Sequence, residues 1–218
     1  MRGADESDAC GIVVDEGGSV CVFVVKRTGA ATPTGFSAAI SAAIGVAARA
    51  RLPLYELVAD VRRVVVSSPG ASVGLSLLRF SARDARVEIL NAGMPALVRL
   101  LPGAAPALYP SRSGPLASGF SEVHPYELSP LVWGSAWLVT SDGVTGGSLD
   151  PLVLLGGLAA SGLEKRAFEL AEADPAQVAL EASALADASG GSAAVDRSLV
   201  IVSADPRRRV ESGIDSRR

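Results

Sequence analysis

Asp142 stands directly after the apolar run Trp137-Leu138-Val139-Thr140, within Ser141-Asp142-Gly143-Val144-Thr145. A carboxylate at the end of a buried strand, followed by glycine, points into a cleft at the edge of a sheet. That position suits a ligand of a hard metal ion or a catalytic acid. The alternative is a turn aspartate that caps the loop after it. Upstream, Asn91-Ala92-Gly93-Met94-Pro95 follows another apolar run. Other chemistries lack their residues. With one histidine and two cysteines, a thiolate or multi-histidine zinc site is excluded. His124 lies alone between Val123 and Pro125, with no serine motif to make a Ser-His-Asp triad, and reads as structural or surface. Gly146-Gly147 is a turn, because no Gly-Lys-Ser/Thr follows it.

The elements that must position these residues follow from hydrophobic period. Residues 10–14 and 20–25 read as a hairpin closed by Asp15-Glu16-Gly17-Gly18-Ser19. Pairing around that turn puts Val14 near Val20, Ile12 near Val22, and Cys10 opposite Val24. Cys10 and Cys21 are therefore not partners, and read as two thiols in a reducing compartment. Residues 27–35 form a loop, with Thr34 a cap for a helix carrying Phe36, Ile40 and Ile44 among alanines. Pro53 opens a second helix whose stripe is Leu54, Leu57, Val58, Val61, Val64 and Val65, ended by Ser67-Ser68-Pro69-Gly70.

Strands follow at 72–80, 86–91, 96–101, 122–128 and 135–140, with a Pro-, Gly- and Ser-rich surface excursion at 102–119. That excursion is a candidate contact region. Trp133 and Trp137 bracket a turn and strand and read as core anchors. The period turns helical over 150–162, 164–173 and 175–188, and Leu199-Val200-Ile201-Val202 is a last strand. Blocks of strands and helices do not make an alternating parallel sheet. The expected fold is α+β: a four-layer α-β-β-α sandwich of two antiparallel sheets flanked by helices. It forms one domain over 1–204, and 205–218, with five arginines, is a frayed tail.

The 218 residues suffice for one full core, built mostly from aliphatic side chains since aromatics are 5%. Net charge is -3, from 20 basic and 23 acidic residues, with no basic face for nucleic acid. No apolar run is long enough to span a membrane, and Met1-Arg2-Gly3-Ala4-Asp5-Glu6 does not resemble a signal peptide. The expectation is a cytoplasmic protein, with no sensor domain ahead of the first motif.

Three stretches resemble the SpoIIE-like branch of the PPM metal-dependent serine/threonine protein phosphatases, over about residues 5–204. Ser7-Asp8-Ala9 and the hairpin resemble the family's opening Gly-Asp segment. Asn91-Ala92-Gly93-Met94-Pro95-Ala96-Leu97-Val98 is similar to its Ala-Gly-His-Pro-Pro stretch. Leu138 to Val144 is similar to its second Asp-Gly motif. The resemblance implies a site where carboxylates hold two divalent ions, Mn or Mg, which activate a water to attack phosphorus. It implies Asp142 and Asp8 as metal ligands, with Asp5 an alternative to Asp8. Two positions depart from the pattern. Lys26 stands where the family has its bridging aspartate, and Arg27 stands for the glycine after it. In Val195-Asp196-Arg197-Ser198, aligning Ser198 with the family's threonine leaves Val195 at the last ligand position. A one-residue shift makes Asp196 the residual acid.

Replacing a carboxylate by an ammonium changes the local charge by two units. A like-charge contact at about 4 Å costs about 4 kcal/mol per unit charge at an effective dielectric near 20. Lys26 is thus expected to repel a dication and to pair with Asp142, Asp8 or both. Two other readings of Lys26 remain: an anion contact shared with Arg27, or a side chain that snorkels from the strand end. Two functions follow. The first is a phosphatase-fold regulatory protein with weak or no catalysis, carrying no metal or weakly bound Mn/Mg. It acts by binding a regulatory protein, phosphorylated on Ser or Thr or not, or as a scaffold, in bacterial-type signalling. The alternative is an active metal-dependent phosphoserine/phosphothreonine phosphatase acting on a small regulatory protein.

Overall fold

The computed structural model describes residues 8–27, 35–68, 70–117, 127–170, 175–190 and 198–204. The hairpin strands are β1 (Asp8–Val14) and β2 (Val20–Arg27). Helices α1 (Phe36–Arg49) and α2 (Leu54–Val66) follow. Next come β3 (Ser72–Ser81), β4 (Arg86–Ala92), β5 (Leu97–Leu100), β6 (Ala107–Tyr109), β7 (Leu116–Ala117), β8 (Glu127–Pro130) and β9 (Ser135–Thr140). Helices α3 (Pro151–Ser161), α4 (Leu163–Leu170) and α5 (Pro175–Ala188) precede the last strand, β10 (Leu199–Ala204).

One sheet has the order β1-β2-β3-β4-β8, with β7 also pairing with β3; the other runs β10-β9-β5-β6. Every named strand pair is antiparallel. The predicted sandwich is the observed one, and strand alternation builds its layers. In β2, Val22 and Val24 face the second sheet, where they share a core with Leu97, Trp137 and Val139. Cys21, Phe23 and Val25 face the other way, onto Ile40, Ile44, Leu57 and Val61 of α1 and α2. On the far side, Val98, Leu100, Ala136 and Leu138 pack against Leu154, Leu158, Leu163 and Leu185. Buried Gly45, Ala47 and Ala48 let α1 lie close to its sheet.

The hairpin register is the predicted one: Val14 opposite Val20, Ile12 opposite Val22, Cys10 opposite Val24. Both cysteines are free. Several expectations change. Gly35 is the N-cap of α1, in the left-handed conformation and without a side-chain cap bond; Thr34 lies outside the described residues. Pro53 caps α2 from just outside its first turn. Trp133 is exposed, because it sits on the turn before β9, whereas Trp137 on the strand is fully buried.

The excursion 102–119 is not a free loop. It holds β6 and β7, and Leu116 is fully buried against β3. Backbone pairing that a Pro- and Ser-rich composition does not signal ties it down. The 122–128 strand is described only from Glu127 onward. His124 and residues 205–218 also lie outside the described residues.

Candidate functional site at the shared strand ends

Lys26 is the fourth of the even-numbered residues of β2 that face the second sheet, after Val20, Val22 and Val24. The second sheet delivers Asp142 to the same end. Strand β9 stops at Thr140, and the turn after it is held by its own backbone. Val144 N–H donates to Ser141 O (3.1 Å), Thr145 N–H to Asp142 O (3.0 Å) and Gly147 N–H to Asp142 O (2.8 Å). The Thr145 hydroxyl donates to Ser148 O at 2.6 Å. Val144 is fully buried and anchors the turn in the helix-side core. These bonds use the Asp142 carbonyl and leave its carboxylate to side-chain chemistry.

The Lys26 ammonium rests on Asp142 Oδ1, in an ion pair whose side chains are 10% and 23% exposed. Asp8 lies directly across the β1–β2 ladder from Lys26. Its side chain lies outside what the structure describes, as do Val195 and Asp196. The chain resumes at Ser198, whose N–H donates to Ser141 Oγ (2.9 Å) while Ser141 N–H donates to Ser198 O (2.9 Å). Ser141 thus joins the start of β10 to the Asp142 turn. Sequence reading missed this role, although the serine stands in the same motif. Arg27 is the neighbour of Lys26 along one strand, so the two side chains leave opposite faces of β2.

The Asn91–Pro95 stretch serves structure. Asn91 Nδ2 donates to Pro95 O (2.7 Å) and Tyr109 O (3.2 Å). Gly93 has φ +64°, and its N–H donates to Ser113 O (2.9 Å) and Ser111 Oγ (2.7 Å). The motif fastens the 107–117 segment to the sandwich.

Similar solved structures share this architecture. The RsbU and RsbW domains of Rv1364c from Mycobacterium tuberculosis match at TM-score 0.66 and 19% identity, over 94% of this chain and 57% of that one. The fold is that of the PPM phosphatases. The SiaA-PP2C domain of Pseudomonas aeruginosa matches at TM-score 0.62 and 17% identity, over 89% of this chain and 78% of that one. The catalytic domain of the serine/threonine protein phosphatase PstP, in complex with two manganese ions, matches at 0.58 and 16%, over 92% of both chains. At these identities the likeness establishes the PPM fold alone. The chain spans 57% of the length of the Mycobacterium chain. No sequence-family model matches it, and no curated protein matches it in sequence.

The described donor set does not fit a pair of dications. A hard dication takes six or more oxygen ligands, several of them carboxylates. Among the described residues, no group of three or more His, Cys, Asp or Glu converges in a way that holds a metal. The described carboxylate at the strand ends, Asp142, already carries an ammonium. Nor, among the described residues, is any helix long and apolar enough to cross a membrane.

Proposed function

We propose that this chain is a regulatory protein on the PPM phosphatase fold that binds a protein partner and has weak or no catalysis of its own. The Lys26–Asp142 ion pair carries this reading. An ammonium on the carboxylate at the strand ends supplies, covalently, the positive charge that a bound dication supplies elsewhere. It cannot lower the pKa of a water to make a nucleophile at neutral pH. Without that nucleophile the strand ends do not hydrolyse a phosphate ester. The partner is a regulatory protein in bacterial-type signalling, phosphorylated or not on Ser or Thr. The RsbU domain of the Mycobacterium chain, which occurs beside an RsbW domain, supports a regulatory setting. The proposal places the protein in the cytoplasm, where its two free thiols stay reduced.

The second reading is an active metal-dependent phosphoserine/phosphothreonine phosphatase with weakly bound Mn or Mg. The likeness to two-manganese PstP over 92% of both chains favours it. Calorimetric titration of manganese into the protein at neutral pH separates the two. The expected result is no saturable heat. Saturable binding, together with manganese-dependent hydrolysis of an aryl phosphate that is lost in Asp142→Asn, would establish the enzyme instead.

A further inference from the structure

The end of the first sheet remote from Lys26 carries a second cluster of charge. Arg79 of β3 pairs in register with Cys21 of β2 and Glu88 of β4, so all three share the helix-side face. On this face lies a cleft of about 300 Å³. The β1–β2 turn, the α1–α2 connection and the β3–β4 turn wall it. Its floor is buried and bonded. Arg79 Nη1 lies 3.2 Å from Glu88 Oε2, and Arg79 Nη2 donates to Leu52 O at 2.8 Å. Arg86 Nη2 lies 3.3 Å from Glu88 Oε1, and Arg51 Nε lies 3.3 Å from Asp15 Oδ2.

We propose that this cleft binds a phosphate group, of an ester or of inorganic phosphate. The cleft is lined by four arginines, completed by Arg83, against three carboxylates, completed by Asp84. The carboxylates of Asp15 and Glu88 are only 8% and 11% exposed, whereas the Arg51 and Arg86 side chains are 51% and 47% exposed. Asp15 and Glu88 therefore sit deep, each holding an arginine in place, while the rim carries guanidinium edges together with the Asp84 carboxylate, which is 47% exposed and 3.8 Å from Arg86 Nη2. Among the described residues, Arg83 makes no ion pair or hydrogen bond that would satisfy its charge.

The excess charge is positive, so the ligand is an anion. Asp15, Asp84 and Glu88 line the cleft without converging, and no group of three acids among the described residues could hold a metal ion. Planar guanidinium forks match the paired oxygens of phosphate. The volume is at the small end of ligand pockets, which begin at about 300 Å³.

The walls are shaped for the rim. Arg51 crosses Gly17 so closely that a Cβ there would clash with its guanidinium. Among the described residues, the two non-glycine positions with positive φ are Arg51 (+56°) and Ala85 (+49°). Arg51 lines the cleft, and Ala85 lies between Asp84 and Arg86, which line it. Such backbone is unfavourable for L-residues and collects where a site fixes side-chain direction. The inference stands whether or not Lys26 closes the other end of the sheet.

The test uses the full chain in low-salt buffer, titrated with inorganic phosphate, O-phosphoserine and a short phosphoserine peptide. Saturable binding is expected. It should weaken at least about tenfold in Arg83→Ala/Arg86→Ala, as loss of charge-assisted bonds requires. Arg62→Ala/Arg63→Ala on α2, with the same change of net charge, should bind as the wild type does. Arg51→Gly removes a rim guanidinium while relieving the positive φ, and is expected to bind more weakly with an undiminished melting temperature. A peptide that binds at least about tenfold tighter than phosphate assigns the site to a phosphoprotein; equal affinities assign it to small phosphates. Absence of saturable binding, or equal weakening in the α2 control, overturns the proposal.

Discussion

The ammonium of Lys26 rests on the carboxylate of Asp142, and so fastens the end of β2 in one sheet to the loop after β9 in the other. Both side chains are mostly buried, and removing one leaves the other charge poorly solvated. Breaking a fully buried pair costs about 3–5 kcal/mol, and partial exposure reduces this. Lys26→Met and Asp142→Asn are each expected to destabilise the protein by about 1–3 kcal/mol. The double variant should lose less than the sum, with a coupling of about 1–2 kcal/mol. Urea denaturation of the four proteins measures the cycle; additive losses would show that the contact contributes nothing.

The tryptophans separate by environment. Trp137 is fully buried between the sheets, edge-on to Phe80 with centroids 6.1 Å apart and tilted against Tyr109 at 5.2 Å. The Arg99 guanidinium lies 5.7 Å from its ring centre. Trp137→Ala is expected to cost about 3–5 kcal/mol. Trp133 is half exposed, and Trp133→Ala should fall within about 0.5 kcal/mol of wild type. Denaturation midpoints check both. Comparable losses would contradict the assignment of only one of them to the core.

The sequence carried the fold because its layers are periodic. Val22 and Val24 alternate with Cys21, Phe23 and Val25, and that pattern alone specifies a strand buried on both faces. The hairpin register followed from its Gly-Gly turn. Lys26 also stood out, because the resemblance to the PPM phosphatases leads one to expect an aspartate at that strand end. Less was legible where long-range backbone pairing decides. Nothing local in 102–119 signals that Leu116 packs on β3, or that Ser111 reaches Gly93. The arginine cleft was illegible for the same reason. Arg51, Arg79 and Arg86 lie on three separate elements, and each alone reads as a solvated charge.

Gly93 has a structural requirement that an open-turn glycine lacks. Its φ is +64°, and an added Cβ would lie 2.5 Å from the Pro115 backbone nitrogen. Gly103 has φ +74° but nothing within 4 Å of such a Cβ. Gly103→Ala should cost about 1 kcal/mol for backbone strain alone. Gly93→Ala adds a backbone clash, bringing its expected cost to about 2–4 kcal/mol. Equal midpoints for the two variants would mean that 107–117 is not clamped at Gly93.

The two thiols differ in access. Cys21 is buried, and desolvation pushes its thiol up to about 12 despite the nearby Arg79. Cys10 is exposed on the edge strand β1. Since the thiolate is the reactive form, one equivalent of an alkylating reagent should react with the native protein at neutral pH. The second should react only on unfolding. Two equally fast equivalents would place Cys21 outside the core.

Asp15 gives a pH dependence of defined sign. Burial alone would raise its carboxyl, but the N–H groups of Ser19 and Gly17 and the Arg51 guanidinium together hold it below its ordinary 3.8. A group lowered on folding contributes stability that is complete above its unfolded value and is lost as pH falls through its folded value. Asp15→Asn keeps the turn-forming side chain and removes the charge. It is expected to be less stable than wild type by about 1 kcal/mol at pH 7, the difference between charged and neutral acceptors. That gap should hold down to about pH 5, where the unfolded carboxyl is still ionised, and close progressively below 3.8. Urea midpoints of the pair from pH 7 to pH 2 measure it. A gap that widened in acid would reverse the sign and remove Asp15 from the set of anchored carboxylates.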